Sequence, residues 1–272
     1  MHIDSFFALH NSNLEDAEFV IFGIPYDATQ SFKPGSRFAP NAIRVASWNL
    51  EAYSLFFDVD LESRSVCDAG NVNVDGGFSD VLENVRTFVR GLNGIPIVLG
   101  GEHTVSYAVL KALNLKDVYF VVFDAHYDLR DEFDGSKFNH ACTTRRIFEL
   151  GMKGIVQVGV RSGTKDERRF AEDNGFLVIN PWNMEGWIER IEEYIGDRSV
   201  YLSIDIDAFD PSFAPGVSTP EPFGLNPVVM LEFFDRFSDR IVGMDIVEVV
   251  PDAEGVTPML SARLIFEFVA SK

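Results

Sequence analysis

Short, nearly continuous apolar runs recur along the chain: FVIFGIP at 19–25, IPIVLGG at 95–101, VYFVVFDAH at 118–126, GIVQVGVRS at 154–162, FLVIN at 176–180, VYLSIDID at 200–207 and IVGMDIVEV at 241–249. Their lack of polar interruption suits strands covered on both faces, as in a parallel sheet. Between them lie stretches with helical spacing: SDVLENVRTFVRGL, SYAVLKALN, KDERRFAEDNG, MEGWIERIEEYIG and NPVVMLEFFDRF, with PMLSARLIFEFVA near the end. Alternating strand and helix predicts an α/β fold, a three-layer doubly wound, mainly parallel sheet with helices on both faces. No repeat, low-complexity linker or abrupt composition change interrupts the sequence, so a single domain over residues 1–272 is expected.

Open parallel sheets bind ligands in the crevice at the carboxyl ends of their strands. Polar residues that follow an apolar run therefore need a chemical reason to be there, because unpaired buried charge is costly. FDAHYD sets Asp124, His126 and Asp128 on alternate positions, and SIDID does the same with Asp205 and Asp207. In extended chain such positions point to one side. VLGGEHT ends its run with two glycines, which permit close backbone approach, and then offers His103.

One fragment of this kind is ordinarily a cap, a turn or a surface feature. Three of them at expected strand ends make a donor set of four carboxylates and two imidazoles. Donors of oxygen and nitrogen without sulfur suit manganese, and less distinctively iron, cobalt or zinc. Four carboxylates balance two divalent cations, so the charge count favours a pair of cations over one. A water held between two such cations becomes a nucleophile near neutral pH.

Composition narrows the partners. The chain is 46% apolar with 25 Phe, ample for a packed core. Its 42 acidic against 23 basic residues give a net charge of −19, which repels phosphate backbones and anionic lipid and attracts metal ions and small cations. With no basic stripe either, nucleic acid is not an expected partner. Most of the acids read as solvated surface. The N-terminus lacks a basic start followed by an apolar stretch, and no segment reaches the roughly 18 uncharged apolar residues of a membrane span. A cytoplasmic location without membrane attachment is expected. Cys67 and Cys142 stand far apart and read as core fillers rather than a disulfide or a thiolate site.

The segments FGIPYD, PGSRFAPNAIR, GGEHT, FDAHYDLRDEF, NHACTTRRIFE, SIDIDAFDPSFAPGVSTPEPFGL and DIVEVVP follow one another as they do in the ureohydrolases, and over most of its length the chain resembles that arginase and agmatinase family. The resemblance implies an arginase-like sheet with two Mn2+ per chain. Carried over residue by residue, it implies that His103, Asp124, Asp128 and Asp205 hold one ion. Asp124, His126, Asp205 and Asp207 would hold the other, with Asp124 and Asp205 bridging. Glu248 matches the family's guanidinium-binding glutamate, and a carboxylate can accept that planar fork in two hydrogen bonds. His140 matches the histidine at the mouth of the site that relays protons and steadies the substrate, a role suited to imidazole. Asp128 would pass the nucleophile's proton to the departing nitrogen.

PGVSTPEPFGL and NHACTTRRIFELG look more like agmatinases than arginases. That implies hydrolysis of the small cationic guanidino compound agmatine to putrescine and urea, a step of polyamine biosynthesis. Asp131, Glu132 and Asp134 in the loop after the ligands would favour the substrate's second positive charge. Guanidinobutyrase, arginase and a formiminoglutamase-like hydrolase are the alternatives within the same chemistry. A non-catalytic metal-binding structural or regulatory subunit is the alternative of another class, although a scaffold has no use for a guanidinium clamp. The resemblance also implies a homo-oligomer, trimer or hexamer. Two departures stand out: Ala39 replaces a common glycine, and the loop at 249–257 is more acidic and shorter than in the family.

Overall fold

The computed structural model of the chain describes residues 5–272. Eight strands form the sheet: β1 (Phe19–Gly23), β2 (Val66–Asn71), β3 (Ile95–Leu99), β4 (Tyr119–Phe123), β5 (Ile155–Val158), β6 (Leu177–Ile179), β7 (Val200–Asp205) and β8 (Ile241–Val247). Their order across the sheet is β2-β1-β3-β8-β7-β4-β5-β6, and every pairing is parallel. Eight α-helices accompany them: α1 (Ala39–Ser47), α2 (Phe78–Val89), α3 (Thr104–Leu113), α4 (Thr143–Glu149), α5 (Lys165–Asp173), α6 (Trp187–Ile195), α7 (Val229–Phe237) and α8 (Val256–Ser271).

Successive strand residues face opposite layers, which explains the unbroken apolar runs. On β4, Val121 and Phe123 join a core with α1, α6, α7 and α8, whereas Phe120 and Val122 join one with α2, α3 and α4. At about 1.5–3 kcal/mol per fully buried large apolar side chain, these two cores hold the three layers together. Local signals agree with the packing. Thr164 and Glu167 close a capping box at the start of α5. The Asp252 carboxylate accepts the Val256 and Thr257 N–H groups at the start of α8.

The strand β2, VCDAGN, is absent from the expectation because its sequence is not apolar. It lies at the sheet edge, paired only with β1, so it needs no continuous apolar run. Its Asp68 accepts two hydrogen bonds from the fully buried Arg44 of α1, at 2.7 and 2.8 Å. Helix α1 carries Pro40 in its first turn, where a missing N–H costs nothing. Cys67 and Cys142 are buried and unbridged, in keeping with their reading as fillers. Among the described residues no helix is long and apolar enough to cross a membrane.

Candidate metal centre

The four middle strands of the sheet, β3, β8, β7 and β4, are consecutive neighbours, and each ends in a residue singled out by the sequence. Leu99 is followed by Gly100, Gly101, Glu102 and His103; Val247 by Glu248; Asp205 closes β7; and Phe123 is followed by Asp124. Since all strands run the same way, these residues share one edge of the sheet. A side chain at Gly101 would collide with the Tyr26 backbone, so glycine there lets the His103 loop fold back on the sheet.

The alternation argument for FDAHYD needs revision. The strand stops at Phe123, and Asp124 to Asp128 follow in irregular chain that bends at Ala125 and touches the neighbouring strand end only through a bridge from His126 to Ser162. There Asp124 Oδ1 accepts the His126 N–H at 2.6 Å, and Asp128 adopts a left-handed φ of 50°. The second motif repeats the device: β7 stops at Asp205, whose Oδ1 accepts the Asp207 N–H at 3.0 Å. A short aspartate side chain turns the backbone after each strand, and this turning brings the donors together. Asp207 Oδ1 also accepts the Ala125 N–H at 3.0 Å, tying one loop to the other.

Two compact donor groups result: His103, Asp124 and Asp205, and Asp124, His126 and Asp207, each with its donor atoms within 4.8 Å of one another. His103 Nδ1 lies 3.0 Å from Asp128 Oδ2, 3.3 Å from Asp124 Oδ2 and 3.5 Å from Asp205 Oδ2. His126 Nδ1 lies 3.0 Å from Asp207 Oδ2 and 3.6 Å from Asp124 Oδ1. Asp124 belongs to both groups, Asp205 to the first, and Asp128 adjoins the first through His103. The fully buried Asp124 Oδ2 accepts no well-aligned hydrogen bond among the described residues, its His103 neighbour standing 3.3 Å away. An orphaned carboxylate oxygen amid further acids is what a cation would satisfy. The donor set of oxygen and imidazole nitrogen fits a hard or borderline divalent ion.

Electrostatics agree with that fit. Burial works against protonated His103, yet its contacts with Asp124 and Asp128 outweigh it and raise the imidazole well above its ordinary pKa. His126 is likewise driven to about 12, with the charges and hydrogen bonds of Asp207 and Asp124 overcoming burial. Burial and the neighbouring Asp124 lift Asp128 to about 7. Burial and the charges of Asp207 and Asp124 raise Asp205 well above the carboxylate range. Without cations, then, the cluster collects protons to balance its charge.

Glu248 follows β8 with a left-handed φ of 63°, a conformation that costs on the order of 1–3 kcal/mol away from glycine and clusters at functional sites. Its Oε1 accepts the His103 N–H at 2.7 Å and its Oε2 the Gln30 amide at 2.5 Å. His140 sits between two hydroxyls, with Thr29 Oγ1 3.2 Å from Nδ1 and Ser31 Oγ 3.3 Å from Nε2. Burial pushes it down to about 4, leaving a neutral imidazole. A cavity of about 270 Å³ opens over the donors, walled in part by His126, Asp128, Asp205, Asp207, His140 and Glu248.

The acids of the 131–134 loop do not line this cavity. Asp131 is engaged by Arg146 at 2.8 Å and by Lys137 and Arg145 at 3.6 Å, so its charge is balanced locally. Phe133, Arg130 and Glu167 stand on the cavity wall instead. Several residues of the site escaped the sequence reading. Glu102, within GGEHT itself, is fully buried and accepts the Thr29 N–H and hydroxyl at 2.6 and 2.7 Å. Arg161, closing the run GIVQVGVRS, carried the signal applied to the acids, a charge at the end of an apolar strand.

The model of the Arginase family matches residues 17–270, and the chain belongs to that family. It is similar to the agmatinase of Pyrococcus horikoshii, at 40% identity over 93% of this chain and 92% of the relative. It is also similar to the N(1)-aminopropylagmatine ureohydrolase of Thermococcus kodakarensis, at 38% identity over 93% and 90%. Among solved structures, the agmatine ureohydrolase of Thermoplasma volcanium superposes with a TM-score of 0.90 at 37% identity, covering 98% of this chain and 93% of that one.

Proposed function

We propose that this chain is an agmatinase, a cytoplasmic homo-oligomeric hydrolase that uses two manganese ions to split agmatine into urea and putrescine in polyamine formation. The observation that carries the reading is the Glu248 carboxylate, on the wall of the cavity onto which both donor groups open. His103, Asp124, Asp128 and Asp205 would hold one ion, and Asp124, His126, Asp205 and Asp207 the other. Such a pair of ions, when bound, supplies activated water at neutral pH and offsets developing negative charge.

The chain's own residues do the rest. Glu248 accepts two N–H groups of the guanidinium, which stays protonated at any relevant pH, and so turns its carbon toward the donor cluster. Asp128, on the cavity wall beside His103, takes the proton of the attacking water and hands it to the departing amine nitrogen. His140, neutral and lining the cavity, exchanges protons between that nitrogen and solvent. The relatives that hydrolyse agmatine or its aminopropyl derivative support a cationic tail on the substrate. Arg130 on the same wall is the observation favouring a second reading, a guanidino compound with a carboxylate tail.

A urea-release panel with manganese separates these readings: agmatine, N1-aminopropylagmatine, arginine and guanidinobutyrate, with formiminoglutamate scored by formamide. Agmatine is expected to show the highest kcat/KM. Absence of turnover with every compound in fully metal-loaded protein overturns the proposal. Light scattering is expected to give a trimer or hexamer.

A further inference from the structure

Arg161 follows β5 and forms no ion pair among the described residues; its guanidinium is spent on main-chain carbonyls. Nη2 donates to the oxygens of Asp207 at 2.7 Å and Glu221 at 2.8 Å, Nη1 to Ala208 at 3.0 Å and Gly159 at 3.1 Å, and Nε to Pro222 at 3.0 Å. The backbone N–H groups of Arg161 and Ser162 donate to the Ala125 carbonyl, at 2.8 and 2.9 Å. The Arg161 side chain thus joins the loop carrying Asp207 to the segment carrying Glu221, while its main chain and that of Ser162 hold the loop carrying Asp124 and His126. The planar five-donor fork suits this task, which a lysine ammonium could not reproduce.

His126 lies between the groups so fixed. Its Nδ1 is 3.0 Å from Asp207 Oδ2, and its Nε2 is 3.6 Å from Glu221 Oε1. An imidazole that ligates through Nδ1 carries its proton on Nε2, and a carboxylate facing that N–H fixes the tautomer and ring orientation. His103 has a different partner. Its Nε2 is 3.3 Å from Ser203 Oγ, which donates to the fully buried Asp245 at 2.5 Å. The two imidazoles are therefore supported independently, one by a buried hydroxyl and acid, the other by a partly exposed carboxylate on a separate loop.

Resting on the two-ion reading above, we propose that Glu221 and Arg161 are positioning residues for one half of the metal centre: Glu221 orients His126 for its ion, and Arg161 fastens Glu221 and Asp207 around it. The half built on His103 does not depend on them.

The test is a stepwise manganese titration of metal-free full-length protein, followed by calorimetry and by free Mn2+ in electron paramagnetic resonance. Wild type is expected to bind in two resolved steps. Glu221→Gln, which keeps size and loses charge, should weaken one step about 10- to 100-fold and leave the other within threefold, with the Tm of the metal-free protein unchanged. Arg161→Lys should weaken the same step, and Ser203→Ala the other one. Unaltered affinities in Glu221→Gln, or equal weakening of both steps, overturn the inference while leaving the two-ion reading standing. Failure of wild type to bind manganese removes that reading and the inference with it. Should Arg161→Lys not fold, Glu221→Gln decides alone.

Discussion

Replacing Glu248 with glutamine tests the guanidinium clamp proposed for it. The substitution keeps shape and removes one charge, and the surroundings can absorb it. The His103 N–H, now 2.7 Å from Glu248 Oε1, still meets the amide oxygen. Gln30 now donates its amide to Oε2 at 2.5 Å, while its own Oε1 is buried without a partner among the described residues. A half-turn of the Gln30 amide presents that oxygen to the new NH2 group, so the fold loses little. The substrate loses its charged acceptor. Removing one partner of a buried, hydrogen-bonded charge pair costs about 2–5 kcal/mol, and at about 1.4 kcal/mol per tenfold kcat/KM should fall roughly thirty- to several-thousand-fold. Burial, assisted by the charge of Glu102, lifts Glu248 to about 8 against the hydrogen bonds from Gln30 and the His103 N–H. The carboxylate form binds guanidinium, so wild-type kcat/KM should rise with pH up to that value, at lower pH once cations sit nearby. The variant should lose that limb. The assay is urea release from agmatine at saturating manganese, with metal content and Tm measured alongside. Activity within threefold of wild type in fully loaded Glu248→Gln would refute the clamp.

Two further outcomes follow from the charges. His126 is held at about 12 and His103 well above its ordinary range, so both carry protons at neutral pH and must shed them to ligate. Manganese affinity should rise with pH, and adding Mn2+ to metal-free protein in weak buffer at pH 7 should release the protons of both imidazoles and, in addition, those held by the raised carboxyls Asp205 and Asp128; a pH-independent affinity with no release would contradict this. Arg44→Met leaves the buried Asp68 without its bidentate partner and should cost about 3–5 kcal/mol in denaturant unfolding. A loss below about 1 kcal/mol would show that Asp68 is satisfied by its remaining donors, the Phe7 and Gly70 N–H groups.

The unbroken apolar runs made seven of the eight strands of the parallel sheet readable, because a strand covered on both faces is apolar at nearly every position. The edge strand β2 escaped because its outer side has no neighbour, and its acid is answered by Arg44, a residue in a helix. The acids and imidazoles of FDAHYD, SIDID and GGEHT were visible as charges with no local reason to be buried. How they converge was not: the strands stop first, and aspartate-capped turns together with a left-handed Asp128 do the work.

By itself the sequence determined the parallel α/β class and the kinds of donor at each strand end, since both follow from local patterns of hydrophobicity and charge. Tertiary structure alone decided that His103 and Glu248, 145 positions apart, touch, that Asp131 is occupied by basic neighbours, and that Glu221 faces His126. These depend on strand order and on which loop folds over which. Such choices are made by the packing of the whole sheet, where distant segments compete for the same edge, and no short window of sequence records the result.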